Sequence, residues 1–187
     1  MPSPIGHSLM GYIIYQSTPR STGMRQWQLI ALYIFAANAP DIDFIPGFFI
    51  GDPNRYHHGI SHSVGFTVLF ASVFSLFLYL LKRDPFRRNF AVFFCLYFSH
   101  IVLDYLSIDT SFPYGETFFW PLSNKYYIAS FAFLPDIRRA YSSSEFILSL
   151  VSLHNMWTVS VECFLLLPLL LLVLVLRRRS RYSTEKV

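Results

Sequence analysis

Thiols and charge are both scarce in this chain, and each shortage excludes a class of protein. The only cysteines are Cys95 and Cys163, each inside an apolar run. Two such residues cannot staple a small secreted fold, so they read as small buried hydrophobes. Charged residues make up 14% of the 187, against about 25% in an ordinary soluble domain. There is no internal repeat, low-complexity tract or domain-scale linker, and the length suits one domain spanning residues 1–187. The opening MPSPIGHSLMGYIIY lacks a basic n-region and a small-residue cleavage site, which argues against a removable signal peptide.

What is abundant is apolar surface. Hydrophobic residues are 53% of the chain, with 20 Phe and 12 Tyr, and the mean hydropathy is +0.41. A disordered chain could not keep so many apolar side chains solvated, and the composition points to a membrane protein. The net charge of +4 is not spread as a nucleic-acid-binding surface would be. Lys82, Arg83, Arg87 and Arg88 lie between two apolar runs, and Arg177, Arg178, Arg179 and Arg181 directly follow a third. Basic loops retained on the cytoplasmic side have this distribution, so no nucleic-acid partner is expected.

Crossing a bilayer as a helix takes about 20 apolar residues. Residues 64–81, 90–106 and 160–176 are long enough or nearly so, and Pro168 in the third can kink the helix without preventing insertion. Two shorter apolar stretches, 5–15 and 27–39, are expected to form a half-inserted helical hairpin turning near Arg20 and Arg25. Residues 107–155 are rich in Pro, Gly, Ser and aromatics and read as interfacial loop, with a helix expected at 144–153. The fold class is therefore an all-α, polytopic membrane bundle with interfacial loops. Placing residues 82–89 in the cytoplasm also leaves the 177–181 cluster inside, so the two basic loops agree.

Against this apolar background a few ionisable residues are grouped. Pro40-Asp41-Ile42-Asp43 ends the 27–39 stretch and sets two carboxylates at i and i+2, where each can offer an oxygen to a cation. Asp and Pro also simply favour turns. His57-His58-Gly59-Ile60-Ser61-His62-Ser63 precedes the first long span, and a helix starting near Ser61 lets His57 and His62 converge on one metal. In Ser99-His100-Ile101-Val102-Leu103-Asp104 the histidine and aspartate are i and i+4, sharing a helix face about 6 Å apart. Ionisable groups in a span face the bundle interior and take partners there. A plain His–Asp pair knitting helices together is the bland alternative.

Antiparallel packing brings these groups together. His57 and His62 fall at the outer end of the first long helix, His100 and Asp104 in the outer half of the second, and a hairpin would bring His7, Asp41 and Asp43 to the same end. Four histidines and three carboxylates exceed the usual three protein ligands of one catalytic zinc, so two or more divalent ions, zinc or manganese, are expected. Glu162, near a membrane boundary, is placed as an outer carboxylate or general base. Trp120-Pro121 and His154 read as interfacial.

The order of motifs is distinctive as a whole: Gly6-His7, Pro40 to Asp43, His57 to Ser63, Ser99 to Asp104, Pro113-Tyr114-Gly115 with Trp120 to Ser123, and HNMWTVSVE before the last span. It resembles the LexA-regulated, inner-membrane-associated hydrolases, also called YdjM-like membrane-bound metal-dependent hydrolases. The resemblance implies a multi-pass protein of a bacterial or archaeal plasma (inner) membrane. It further implies a metal-hydrolase site built from His7, Asp41, Asp43, His57, His62, His100 and Asp104. Family members often carry HRG where this chain has His57-His58-Gly59, so His58 stands where a basic residue is common.

The expected activity is hydrolysis of an ester or phosphodiester, with membrane lipids as surroundings and a lipid-like molecule as substrate. Metal would polarise the scissile group and lower the pKa of water towards about 7. Asp41, Asp43, His57, His62 and Glu162 are the expected catalytic set. The rival reading is a non-catalytic protein with a structural metal site or a metal transporter. From residue 64 to residue 81 the only polar side chains are Thr67, Ser72, Ser75 and Tyr79, a thin lining for a transport path.

Overall fold

The computed structural model describes residues 1–19, 24–110, 112 and 114–184, with 180–184 by backbone alone. Among the described residues seven α-helices follow in order: α1 (Pro4–Ser17), α2 (Gln26–Asn38), α3 (Phe44–Phe49), α4 (Val64–Lys82), α5 (Phe86–Tyr105), α6 (Ser143–Ser149) and α7 (Leu153–Thr184). Two 3-10 turns, Ala39–Asp43 and Pro53–Tyr56, flank α3. Among the described residues there is no β-strand, only isolated bridges, as expected of an all-α membrane bundle.

Local chemistry sets the helix starts. Ser3 caps α1, its hydroxyl accepting from Gly6 N at 3.0 Å, and Pro4 takes the first position, where a missing N–H is harmless. Ser63 caps α4 through Phe66 N at 3.1 Å. At its other end α4 stops on Arg83, which adopts a left-handed conformation (φ 57°).

α4 and α5 pair as an antiparallel hairpin, α1 packs between α2 and α7, and α2 also packs on α5. The core where α2, α4 and α5 meet holds Ala36, Ala37, Ala71, Phe93 and Leu96. Small residues let the backbones approach, as helix packing inside a membrane requires. Outward faces are apolar: Leu69, Val73, Leu76 and Leu80 on α4, and Phe164, Leu171, Leu172 and Val175 on α7, are all exposed.

Among the described residues three helical stretches are long and apolar enough to cross a membrane: Gln26–Phe49, Val64–Lys82 and Leu153–Arg179. Two expectations are corrected here. Residues 27–39 do not end as a short segment, because Pro40 sits at the start of a new 3-10 turn that continues into α3 and gives 24 residues of helical chain. Residues 90–106 do form helix α5, but it is not one of the three apolar stretches. Arg87, Arg88 and Asn89 load its first turn, and Ser99, His100 and Asp104 its last turns. With neighbours on several sides, α5 spends its surface on protein, and its buried face runs Phe93, Leu96, Tyr97, His100, Ile101 and Asp104. Cys95, expected to be buried, lies off that face and is exposed, while Cys163 is half-buried.

The last helix starts at Leu153, earlier than residue 160, and carries Pro168 within it. α6 matches the helix expected at 144–153 but is shorter. The expected turn near Arg20 and Arg25 involves residues 20–23, and the Pro113 of the PYG motif is also outside the described residues.

Residues 107–110 and 114–142 fold back over the end of the bundle where α4 begins. Val64 N donates to Phe118 O and Gly65 N to Trp120 O, each at 3.0 Å, so this loop is hydrogen-bonded to the start of α4. Farther along, Asn155 clamps it to α7, accepting from Arg138 N at 2.8 Å and donating to Arg138 O at 2.7 Å.

Candidate metal centre

The end of the bundle where α4 begins gathers His7 from α1, Asp41 and Asp43 from the 3-10 turn, His57, His58 and His62 from the loop before α4, and His100 and Asp104 from α5. All five of these histidines are at most 4% exposed, and His7, His62 and His100 are fully buried. Asp41, His62, His100 and Asp104 each bring a ligand-type atom to within 4.8 Å of the others. The same holds for three further sets: Asp41, Asp43 and His57; His57, His58 and His62; and His58, Asp104 and Glu116.

The rings are aimed by their outer nitrogens. His100 Nδ1 lies 2.8 Å from Ala37 O, and because a carbonyl only accepts, Nδ1 carries the hydrogen. A neutral ring would then turn the lone pair of Nε2 towards Asp104 Oδ2 at 3.1 Å and Asp41 Oδ1 at 3.4 Å. Lone pairs facing lone pairs repel, so a proton or a metal cation belongs between them. His57 Nδ1 is 3.0 Å from Asp43 Oδ1 and His62 Nδ1 is 3.1 Å from Asp43 Oδ2. Asp43 also accepts from Ser61 Oγ at 2.7 Å, so it holds two imidazoles at once. Orientation of a ligand ring through its other nitrogen is how carboxylates support metal-bound histidine.

The inward-facing atoms are left without hydrogen bonds. His7 Nε2, His57 Nε2, His58 Nε2, His62 Nε2, His100 Nε2, Asp41 Oδ1 and both Asp104 oxygens are buried with no hydrogen-bond partner among the described residues. Several lie within ion-pair distance, as His7 Nε2 to Asp104 Oδ1 and His62 Nε2 to Asp104 Oδ2 do, each at 3.3 Å, but none of these contacts has hydrogen-bond geometry. Buried polar atoms are normally satisfied, and converging nitrogen and carboxylate donors of this kind suit a transition metal. The residues present therefore fit divalent metal.

Burial holds the pKa values of His57 and His58 below the usual histidine range, with neighbouring positive charge adding to the effect at His57. His62 goes the other way: burial opposes its charge, but the carboxylate of Asp43, with those of Asp104 and Asp41 close by, holds its pKa well above the usual value.

Seven residues expected from the sequence thus meet at one place. Glu162 does not join them. Its carboxylate accepts from Ser3 N at 2.8 Å and from the Ser3 hydroxyl, and at Gly6 an added Cβ would lie 2.6 Å from Glu162 Oε2. It pins the first turn of α1, from which His7 N bonds Ser3 O at 3.1 Å, so its influence on the cluster runs through the placement of His7. His154 is also separate, with Nε2 3.0 Å from Asp136 O.

Two neighbours were not visible in the sequence. Glu116 reaches the cluster from the folded-back loop. The half-buried Arg139 donates from Nε to Asn54 Oδ1 at 2.6 Å and lies 5.2 Å from the centroid of Phe44, whose ring stacks on His57 at 4.1 Å.

The family model described as YdjM inner membrane protein matches residues 1–182. The chain belongs to that family. With three candidate spans, it is a multi-pass inner-membrane protein. Comparison with curated proteins and comparison with solved structures each give no match. The family match covers α1 to α7, so every residue of the cluster lies within the YdjM region.

Proposed function

We propose that this YdjM-family protein is a membrane-embedded, metal-dependent hydrolase that cleaves a phosphate ester of a lipid-like molecule at the membrane surface. The observation that carries this reading is the convergence of buried, unpartnered Nε2 and carboxylate atoms at one end of the bundle. Asp41, His62, His100 and Asp104 would hold one ion, and His57 beside Asp41 would help hold another, with Asp43 orienting His57 and His62. Divalent metal bound there, zinc or manganese, supplies Lewis acidity that polarises the ester and acidifies water.

Two features favour an anionic, lipid-like substrate. Arg139, steadied by Asn54 and Phe44, places a guanidinium one aromatic layer from His57, and its planar fork suits a phosphate. A groove of about 560 Å³ beside Ser3 is lined by Pro4, Ile5, Ile137, Val151, Met156 and Val159, an apolar surface that suits an acyl chain.

The test is turnover. Chelator-stripped protein in detergent or nanodiscs is assayed against phosphodiester, phosphomonoester and carboxylic-ester lipids, before and after zinc or manganese is returned. Metal-restored hydrolysis of a phosphate ester is expected. A protein that binds metal and hydrolyses none of these would instead carry a structural or transport site.

A further inference from the structure

Glu116 is an isolated acid in an aromatic-rich loop, yet it is only 1% exposed and both carboxylate oxygens are buried without a hydrogen-bond partner among the described residues. Its position is built by backbone. Glu116 pairs with Tyr127 in both directions, N to O at 3.0 Å and O to N at 2.8 Å. The preceding Gly115 has φ +83°, and a Cβ there would lie 2.4 Å from Tyr127 O, so only glycine fits this approach. Thr117 then ties the loop to the histidine segment, its N donating to His58 O at 3.3 Å and its hydroxyl to Gly59 O at 2.7 Å.

His58 meets Glu116 from the other side. Its backbone is left-handed (φ 62°), a conformation that non-glycine residues adopt rarely and mostly where structure elsewhere enforces it. Asp109 lies 3.7 Å from His58 Nδ1, leaving the buried Nε2 without a hydrogen-bond partner. The ligand atoms of His58, Asp104 and Glu116 fall within 4.8 Å of one another. Between them is a cavity of about 10 Å³, lined also by Asp109, Gly115 and Tyr127. That is room for a single ion or water.

We propose that His58, Asp104 and Glu116 bind a further divalent cation, next to the ion held by Asp41, His62, His100 and Asp104, with Asp104 as the shared carboxylate. One imidazole and two carboxylates form a donor set that zinc and manganese both accept. The inference rests on the metal-centre reading above and assigns Glu116 and His58 to it as ligands.

The experiment counts ions. Full-length wild type, Glu116→Gln and His58→Gln are stripped with chelator in detergent, reloaded with Zn²⁺, desalted and measured by elemental analysis against protein concentration. Each variant is expected to hold one ion fewer per chain than wild type while keeping the rest. Wild type that binds metal, with both variants holding the wild-type number, overturns this inference alone. Wild type that binds none overturns the metal-centre reading with it. Should the variants fail to fold, anomalous diffraction at the zinc edge from the wild type decides. A peak about 2.0–2.2 Å from His58 Nε2 and the Asp104 and Glu116 oxygens supports the site. Peaks at the Asp41, His62 and His100 position without one here overturn it.

Discussion

Replacing Asp104 by asparagine keeps the side chain's shape and removes its charge. Asp104 Oδ1 lies 3.3 Å from His7 Nε2, and Oδ2 lies 3.3 Å from His62 Nε2 and 3.1 Å from His100 Nε2. It is thus the carboxylate that three histidines share. Even outer groups around a metal change affinity by about 10–100-fold, so loss of this anionic ligand should weaken binding by at least about 100-fold. With free metal at about 1,000 times the wild-type Kd, binding stabilises the fold by about 4.1 kcal/mol. The same concentration is only about 10 times the variant's Kd, which leaves about 1.4 kcal/mol. For a chain of this size each kcal/mol moves Tm by about 2–4 °C. The gap in Tm between metal-loaded and metal-free protein should therefore shrink from about 8–16 °C to about 3–6 °C. Thermal unfolding in detergent, with and without Zn²⁺, reads it directly. Equal gaps in wild type and Asp104→Asn would refute the role of Asp104 as ligand, and no gap in wild type would refute the metal centre.

Three other expectations follow from the same geometry. Glu162→Gln should release the start of α1 and destabilise the protein by about 1–3 kcal/mol, since it weakens a charge-assisted contact to Ser3. It should leave the number of bound ions unchanged, and elemental analysis showing one ion fewer would make Glu162 a ligand after all. Because the raised pKa of His62 keeps a proton on it near neutrality, metal must displace that proton, so zinc affinity should rise with pH and binding should release protons. Calorimetry in buffers of different ionisation heat checks this, and a buffer-independent heat would contradict it. For topology, residues 82–89 should be cytoplasmic, and a cysteine introduced at the exposed Arg55 should be labelled by a membrane-impermeant reagent only from outside; labelling only from the cytoplasmic side would reverse the orientation.

Much of the site was legible because it is written in short-range spacing. His100 and Asp104 are a helical turn apart, so any helix puts them on one face. His57 and His62 immediately precede the α4 start, and antiparallel pairing with α5 then sets all four at one end. The side chains that only long-range contacts place were not legible. Glu116 reaches the cluster only because Tyr127 and His58 hold its loop, and Arg139 only because Asn54 and Phe44 hold its guanidinium. The way Glu162 bears on the cluster was hidden for a related reason: its partner is Ser3, 159 residues earlier, a contact no local pattern announces. In the fold, Pro40 looked like a stop and is the beginning of another turn. α5 read as an apolar span because the stretch 90–106 leaves out Arg87 and Arg88, which the helix itself includes.

The central claim is that the buried His–Asp cluster is a metal centre, and metal content tests it most directly. Protein purified from the membrane without chelator, then analysed for bound transition metals against protein concentration, should carry more than one zinc or manganese ion per chain, and this should fall in Asp104→Asn. No bound metal in the wild type, and none retained after zinc or manganese is added and excess removed, would contradict the account.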